Sequence, residues 1–200
     1  MADKQRFIRI AALCGLVGGT LQAIGGIVLG FMRQSTSNID TFALGPELVF
    51  TLLQAMLLVG LFGLWSSGDV TEGSKARTLG RIALGAALLA RAIFVVAELL
   101  EAFDKNIANA TFGAATPLLA LGMIGIGVTL LMNRNWQGWH PYTALLCGLY
   151  PFVVLFPALA ISGGANFMAI GAWSIFFLLF SFAFYLEAGQ PQPREVVAAH

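Results

Sequence analysis

Residues 88–105 read LLARAIFVVAELLEAFDK, an apolar stretch that contains Arg91 near its middle and Glu98 and Glu101 near its end. The apolar block around it runs from about residue 79 to residue 101, and a membrane-spanning helix needs about 20 such residues. A guanidinium cannot lose its proton to escape an apolar setting. The stretch therefore predicts a membrane helix whose arginine must face the protein interior and find partners there.

Five further apolar blocks of similar length flank this one, and none alternates apolar and polar residues as a barrel strand does. The chain is 58% hydrophobic and only 10% charged, whereas soluble domains carry about 25% charged residues. We predict an all-α, polytopic integral membrane protein with a six-helix transmembrane domain over 1–189 and a flexible polar tail over 190–200. The predicted helices span about residues 7–32, 46–65, 79–101, 112–132, 142–161 and 166–186.

Several classes of function are excluded by the charged and metal-binding residues. The net charge of +1 and the lack of a basic face argue against nucleic-acid binding. Cys14 and Cys147 both lie in apolar blocks, and the only histidines are His140 and His200. We therefore expect no disulfide framework, no metal site and no cofactor.

The distribution of lysine and arginine between the loops predicts the orientation. Short loops rich in these residues stay in the cytoplasm. Only Arg33 and Lys105 fall on one side of the six helices, which places both termini in the cytoplasm, and we assign the protein to a bacterial inner (plasma) membrane. The aromatic residues that we expect to anchor the cytoplasmic helix ends are Trp65, Trp136, Trp139, Tyr142 and Tyr185.

Two local patterns bear on the connections between helices. The segment SSGDVTEGS at 66–74 predicts a flexible cytoplasmic turn. The similarity of RIAALCGL at 9–16 to RIALGAAL at 81–88, and of AALCGL at 11–16 to ALLCGL at 144–149, would follow from three related helical hairpins. Chance resemblance between apolar segments explains the similarity equally well.

Polar side chains gather at two predicted depths. Counting residues from the helix ends puts Arg91 at the midplane, together with Gln22, Gln54, Tyr150 and Trp173. A second, acidic layer nearer the outer surface contains Glu47, Glu98, Glu101 and Asn166.

The partners of Arg91 follow from helix geometry. Glu98 is seven residues further on, within about 20° of the same helix face, but the rise of about 10 Å is long for a direct ion pair. Water or a ligand anion between the two is one interpretation. The other is hydrogen bonding across helices to Gln22, Gln54 or Tyr150.

Prolines and glycines predict where the helices deviate from regular packing. Pro151 and Pro157 should interrupt helix five and free carbonyl groups around residues 147–153. In helix one, the pairs Gly15/Gly19 and Gly26/Gly30 have the small-xxx-small spacing that allows close helix approach.

These residues favour a polar pocket within the membrane that is open toward the outer leaflet and binds a lipophilic or amphiphilic small molecule. Glu98 and Glu47 are the candidate catalytic residues, since a protonated carboxyl group can act as a general acid in an isomerase- or cyclase-like reaction. The candidate ligand-binding residues are Arg91, Gln22, Gln54, Tyr150, Trp173 and Asn166.

Two alternatives come from other functional classes. In a small proton-coupled transporter, Glu98 would carry the coupled proton and Arg91 would bind an anion. In a structural accessory subunit, or a homo-oligomer, the polar layer would only fix the register of the helices. The lipid bilayer is the expected surrounding in all three cases.

Overall fold

The computed structural model describes residues 2–35, 44–72, 76–101, 103–134, 136–162 and 167–188. Within these ranges the chain is helical and contains no strand. The helices are α1 (Ala2–Ser35), α2 (Leu44–Ser67), α3 (Arg77–Glu101), α4 (Lys105–Asn133), α5 (His140–Tyr150), a π-helical segment (Pro151–Leu155), α6 (Phe156–Ser162) and α7 (Phe167–Ala188).

Six helical spans of the described chain are long and apolar enough to cross a membrane. The fifth consists of α5, the π-helical segment and α6, which follow one another without a break. This result confirms the predicted six apolar helices of an integral membrane protein. The predicted tail over 190–200 and the candidate residue Asn166 lie outside the described residues.

The start of α4 is the largest departure from the predicted boundaries. The helix begins at Lys105, one to two turns before the predicted start at 112. The carboxylate of Asp104 caps it, accepting hydrogen bonds from the backbone N–H groups of Asn106 at 2.9 Å and Ile107 at 3.1 Å. Because the first turns of this helix are polar, hydrophobicity alone does not reveal them, whereas the capping residue does.

Pro151 interrupts the fifth span as predicted. The chain changes from α-helix to π-helix at this residue. Proline has no N–H, so the carbonyl of Cys147, four residues earlier, lacks its usual helical donor. The indole N–H of Trp173 on α7 donates to that carbonyl at 2.8 Å. The interruption of one helix thus provides the acceptor that attaches it to another.

The helices contact one another in cyclic order, with α1 between α2 and α7. α1 runs antiparallel to both of its neighbours, because the residue numbers of its contacts fall as α1 advances: Gly15 and Gly25 approach Gly60 and Phe50 of α2, and Gly15 and Gly26 approach Ser181 and Gly171 of α7. By contrast, α2 and α7 touch each other only sparsely. As a result, α1 closes the ring between them.

The face of α1 that contacts α2 and α7 is made mostly of small residues, including Ala11, Ala12, Gly15, Gly19 and Gly26. A Cβ atom placed on Gly26 would lie 2.6 Å from the Cα atom of Gly171. Small residues allow helix backbones to approach closely in membranes, which is the role predicted for these glycines.

Gly26→Ala should therefore lower the stability of the bundle by about 1–3 kcal/mol, because the added methyl group forces α1 away from α7. Thermal unfolding of the purified protein in detergent, followed by circular dichroism, measures this loss. Gly85→Ala is the matched control, since a Cβ atom there meets nothing within 4 Å, and alanine at a helical position should be neutral or stabilising. Equal losses in both variants would contradict close packing of α1.

Candidate functional site

Arg91 lies inside the bundle on α3, with 2% of its surface exposed. Its Nη1 atom donates a hydrogen bond to Oε1 of Gln54 on α2. The guanidinium carbon lies 4.1 Å from the centre of the Phe177 ring on α7 and 5.5 Å from that of Phe94 on α3. The negative faces of aromatic rings attract a cation, more strongly where water is excluded. Three helices therefore hold the charge.

Gln54 connects Arg91 to Glu98. While its carbonyl oxygen accepts from Arg91, its amide nitrogen donates to Oε1 of Glu98 at 3.2 Å. The two partners define the amide orientation, because a flipped amide would direct N–H groups at the guanidinium and its oxygen at the carboxylate. Gln54 thus bridges Arg91 and Glu98, and its bond to Arg91 is one of the interhelical hydrogen bonds that the sequence predicts.

The other edge of the guanidinium has no acceptor within the part of the chain that the structure describes. Among the described residues, neither Nε nor Nη2 of Arg91 has a hydrogen-bond partner, and both atoms are buried. Buried charges in proteins normally have their hydrogen bonds satisfied, because an unpaired one is costly. Of the residues that the structure describes, Gln54 is thus the one that accepts a hydrogen bond from Arg91.

A small cavity of about 10 Å³ adjoins Arg91. That volume corresponds to roughly one water molecule. Gly15 of α1, Gly60 of α2 and Ser181 of α7 contribute to its wall, together with the ring of Phe177. The cavity lies where α1 closes the ring between α2 and α7.

Tyr150 and Trp173 connect the fifth span to α7. The Tyr150 hydroxyl donates to the carbonyl of Ala169 at 3.0 Å, and the Trp173 indole donates to that of Cys147 at 2.8 Å. Both side chains are buried. Their donor groups are thus occupied by backbone carbonyls in this conformation, and a role for either in ligand binding stays a prediction.

The remaining predicted site residues are Gln22, Glu47 and Asn166. Gln22 is partly exposed on α1, and its buried Oε1 has no partner among the described residues. Glu47 belongs to α2, but its side chain lies outside the described part of the chain, as does Asn166 altogether. The structure therefore brings together Arg91, Gln54 and Glu98 from the predicted set.

The aromatic surroundings of Arg91 were not predicted. Phe94 is three residues after Arg91, on the same helix face, and Phe177 follows the predicted Trp173 by one turn on α7. Helix periodicity could have selected Phe94. Phe177 could not be chosen among the many phenylalanines of α7 without knowing which face of that helix meets α3.

A second polar cluster surrounds Asp69, at the end of the bundle that carries the start of α1. Its carboxylate accepts hydrogen bonds from the indole of Trp136 and the hydroxyl of Ser67, both at 3.1 Å. The side-chain amide of Asn133 reaches its backbone carbonyl at 3.4 Å. Trp136 also stacks on Phe184 of α7. These contacts join the α2–α3 connection to α4 and α7.

Two predictions need revision at this cluster. Residues 67–72 form a packed, hydrogen-bonded turn in which Val70 is fully buried, so this part of the predicted flexible connection is ordered. Trp136 is buried against α7 and does not serve as a lipid-facing anchor. The exposed tryptophans at this end are Trp65 and Trp139.

Burial raises the pKa of Asp69 above its ordinary value of 3.8, and the negative charges of Glu187 and Glu72 act in the same direction. The hydrogen bonds from Trp136 and Ser67 oppose this effect without cancelling it. Nearby, Glu187 of α7 pairs with the imidazole of His140 and accepts from the backbone N–H of Gln137 at 3.1 Å. The carboxylates of Asp69 and Glu187 therefore each join separate segments of the chain at this end of the bundle.

Comparison with known proteins gives no match: no family model, no curated protein and no solved structure is detectably similar to this chain. Within the described ranges, no group of three or more His, Cys, Asp or Glu side chains is placed to hold a metal ion.

Gln54→Leu should destabilise the protein by about 3 kcal/mol, because it leaves a buried guanidinium without its hydrogen-bond acceptor. Gln22→Leu is the matched control, since the buried oxygen of Gln22 has no partner in the described ranges, and we expect a change of less than about 1 kcal/mol. Thermal or denaturant unfolding in detergent micelles distinguishes the two. A similar loss in both variants would show that the bond between Arg91 and Gln54 contributes little.

Asp69→Asn should change how stability depends on pH. A raised native pKa means that the folded state binds the proton more tightly, so the contribution of Asp69 to stability is complete at low pH and declines as the pH rises through that native pKa. Asparagine does not titrate. The melting temperature of the wild type relative to Asp69→Asn should therefore fall as the pH rises above about 4, the ordinary pKa of an aspartate. A rise would contradict the proposed effect of burial.

Proposed function

We propose that the protein binds an amphiphilic small molecule with an anionic head group, and that Arg91 is the anchor for that group. The observation that supports this most directly is that the buried Nε and Nη2 atoms of Arg91 lack acceptors among the described residues. These two atoms share one edge of the guanidinium, the geometry that suits a carboxylate or phosphate through two parallel hydrogen bonds. An anion there would also neutralise a charge in an apolar setting.

Access to Arg91 requires movement of α1. The adjoining cavity of about 10 Å³ has room for water but not for a head group. The wall that closes it includes Gly15 of α1, and α2 and α7 barely touch each other behind that helix. Because the contact face of α1 consists mostly of glycine and alanine, few interlocked side chains oppose its displacement. The apolar part of the ligand would then lie between α1 and the lipid.

In this proposal, Gln54 and Glu98 hold the guanidinium of Arg91 in position to bind the anionic head group. Gln54 holds the guanidinium through Nη1, and Arg91 also lines the cavity. Glu98, bonded to the same amide, places a carboxylate near the charge without occupying the free edge. Acid–base chemistry by Glu98 or Glu47 stays a prediction.

The finer topology is part of the same proposal. We assign both termini to the cytoplasm of a bacterial inner membrane, because lysine and arginine are concentrated in the loops on that side. Derivation from three related hairpins remains a prediction, as does open access to the pocket from the outer leaflet.

The direct test is to identify small molecules that co-purify with the protein. Mild detergent extraction followed by negative-ion mass spectrometry should find an anionic amphiphile in the wild type that falls at least about tenfold in Arg91→Gln, the loss expected when a charged hydrogen-bonding pair is removed. Arg77→Gln, which removes an exposed arginine from the first turn of α3, should retain it. An equal yield from Arg91→Gln, in a preparation with native helicity, would refute the assignment.

A disulfide between α1 and α7 tests the route of entry. A Cβ atom on Gly15 would lie 3.6 Å from that of Ser181, within the range for a disulfide. In a Cys14→Ala background, we expect the oxidised Gly15→Cys/Ser181→Cys protein to bind a fluorescent fatty acid several-fold more slowly than the same protein after reduction. The reduced form is its own control for the added sulfur atoms, and equal rates would exclude movement of α1 as the entry step.

Proton-coupled transport is the second candidate. The chain from Glu98 through Gln54 to Arg91 favours it, because protonation of Glu98 would change the hydrogen bonding of the amide that holds the guanidinium. Flux of the identified ligand in proteoliposomes, with and without a pH gradient, separates transport from binding alone. Transport predicts flux that Glu98→Gln uncouples from the gradient.

A further inference from the structure

We propose that a second site, independent of Arg91, binds the phosphate head group of an anionic phospholipid. The site is an open groove of about 850 Å³ at the end of the bundle where α1 begins. We call it the interfacial groove, and the lining residues that define its chemistry are Lys4, Phe7, Trp65, Ser66, Glu72 and Arg81.

The groove lies at the depth of lipid head groups. Lys4 is the second residue of the membrane span Asp3–Val28, and Ser66 is the second-last residue of the span Leu48–Ser67. Arg81 is one turn into α3, at the same end of the bundle. Polar groups at the ends of three spans therefore converge on one recess at the boundary between the apolar layer and water.

The charges in the groove favour an anion. Lys4 and Arg81 provide two cations, while Glu72 provides one carboxylate, which leaves an excess of one positive charge. Two cations suit a phosphate. The carboxylate of Glu72 and the hydroxyl of Ser66 suit the hydroxyl groups of a polar head group such as glycerol. Because the groove carries an excess of one positive charge, it favours a lipid with a net negative charge, such as phosphatidylglycerol, over a zwitterionic lipid of no net charge.

Apolar side chains continue from the groove toward the middle of the membrane. Phe7 and Trp65, at its rim, are 45% and 41% exposed. One turn deeper on the same two helices, Ile10 and Phe62 are each 50% exposed. Because α1 and α2 are neighbours, these four side chains offer a surface along which acyl chains can lie below a bound phosphate.

The test uses bromine quenching of Trp65 in a Trp139→Phe background, which leaves Trp65 as the only strongly exposed tryptophan of the described chain. The protein is placed in phosphatidylcholine vesicles that contain increasing fractions of dibrominated phosphatidylglycerol. We expect half-maximal quenching at a bromolipid fraction several-fold lower than with dibrominated phosphatidylcholine. Lys4→Gln and Arg81→Gln should each reduce that preference by roughly fivefold, as expected for the loss of one basic residue at a membrane surface.

Arg77→Gln is the matched control, because Arg77 is an exposed cation at the same end of α3 that does not line the groove. It should retain the preference. Equal quenching by the two bromolipids would overturn the proposal, as would an equal loss of preference in Arg77→Gln, which would indicate general surface attraction. Relief of quenching by millimolar inorganic phosphate, but not by equimolar chloride salt, would support recognition of the phosphate group, because the free anion would then be displacing a bound lipid.

Discussion

The hydrogen bond between Arg91 and Gln54 is the interaction on which the interior of this protein depends. A guanidinium remains charged at any accessible pH, so a bundle that buries one must supply acceptors and aromatic faces from several helices. Gln54 on α2 and Phe177 on α7 meet this need for Arg91 on α3. The mutual arrangement of these three helices is therefore tied to one side chain.

The packing of α1 complements this arrangement. Whereas α2, α3 and α7 converge on Arg91 through large or polar side chains, α1 meets its neighbours through glycine and alanine. Its close approach seals the ring without adding an acceptor to the cavity beside Arg91. A bundle that served only to hold the charge would be expected to complete its hydrogen bonds, because an incompletely satisfied buried charge is destabilising. Two features together favour a bound ligand. One edge of Arg91 lacks acceptors among the described residues, and α1 fits closely against its neighbours with few interlocking side chains.

Much of the fold could be predicted from the sequence, because spanning helices are set by length and hydrophobicity. Two local features could also be predicted: Pro151 had to free the carbonyl of Cys147, and a hydrogen bond from Arg91 to Gln54 across helices was one of the two arrangements expected from helix geometry. The sequence could not show that Gln54, and not Gln22, bonds Arg91. Both glutamines lie at a suitable depth, and only the rotation of their helices distinguishes them. The contact of Phe177 with Arg91 likewise depends on the rotation of α7, which the sequence does not show.

The turn around Asp69 was misread for a different reason. Gly68 and its polar neighbours are typical of an exposed connection, yet the partners that order this turn, Trp136 and Asn133, lie more than 60 residues away in sequence. Composition describes the segment itself, whereas its order comes from contacts with α4 and the residues after it. Contacts of such long sequence separation are not contained in any local pattern.

The most direct measurement is a high-resolution density map of the protein purified in native lipid, inspected beside Arg91. If the protein binds an anionic amphiphile there, α1 should be displaced, and elongated density should extend from Nε and Nη2 toward the lipid. Density no larger than a water molecule, with α1 packed against Gly60 and Gly171, would contradict the proposal. Hydrogen bonds from both nitrogens to protein acceptors would also contradict it, because Arg91 would then be a structural element of the bundle.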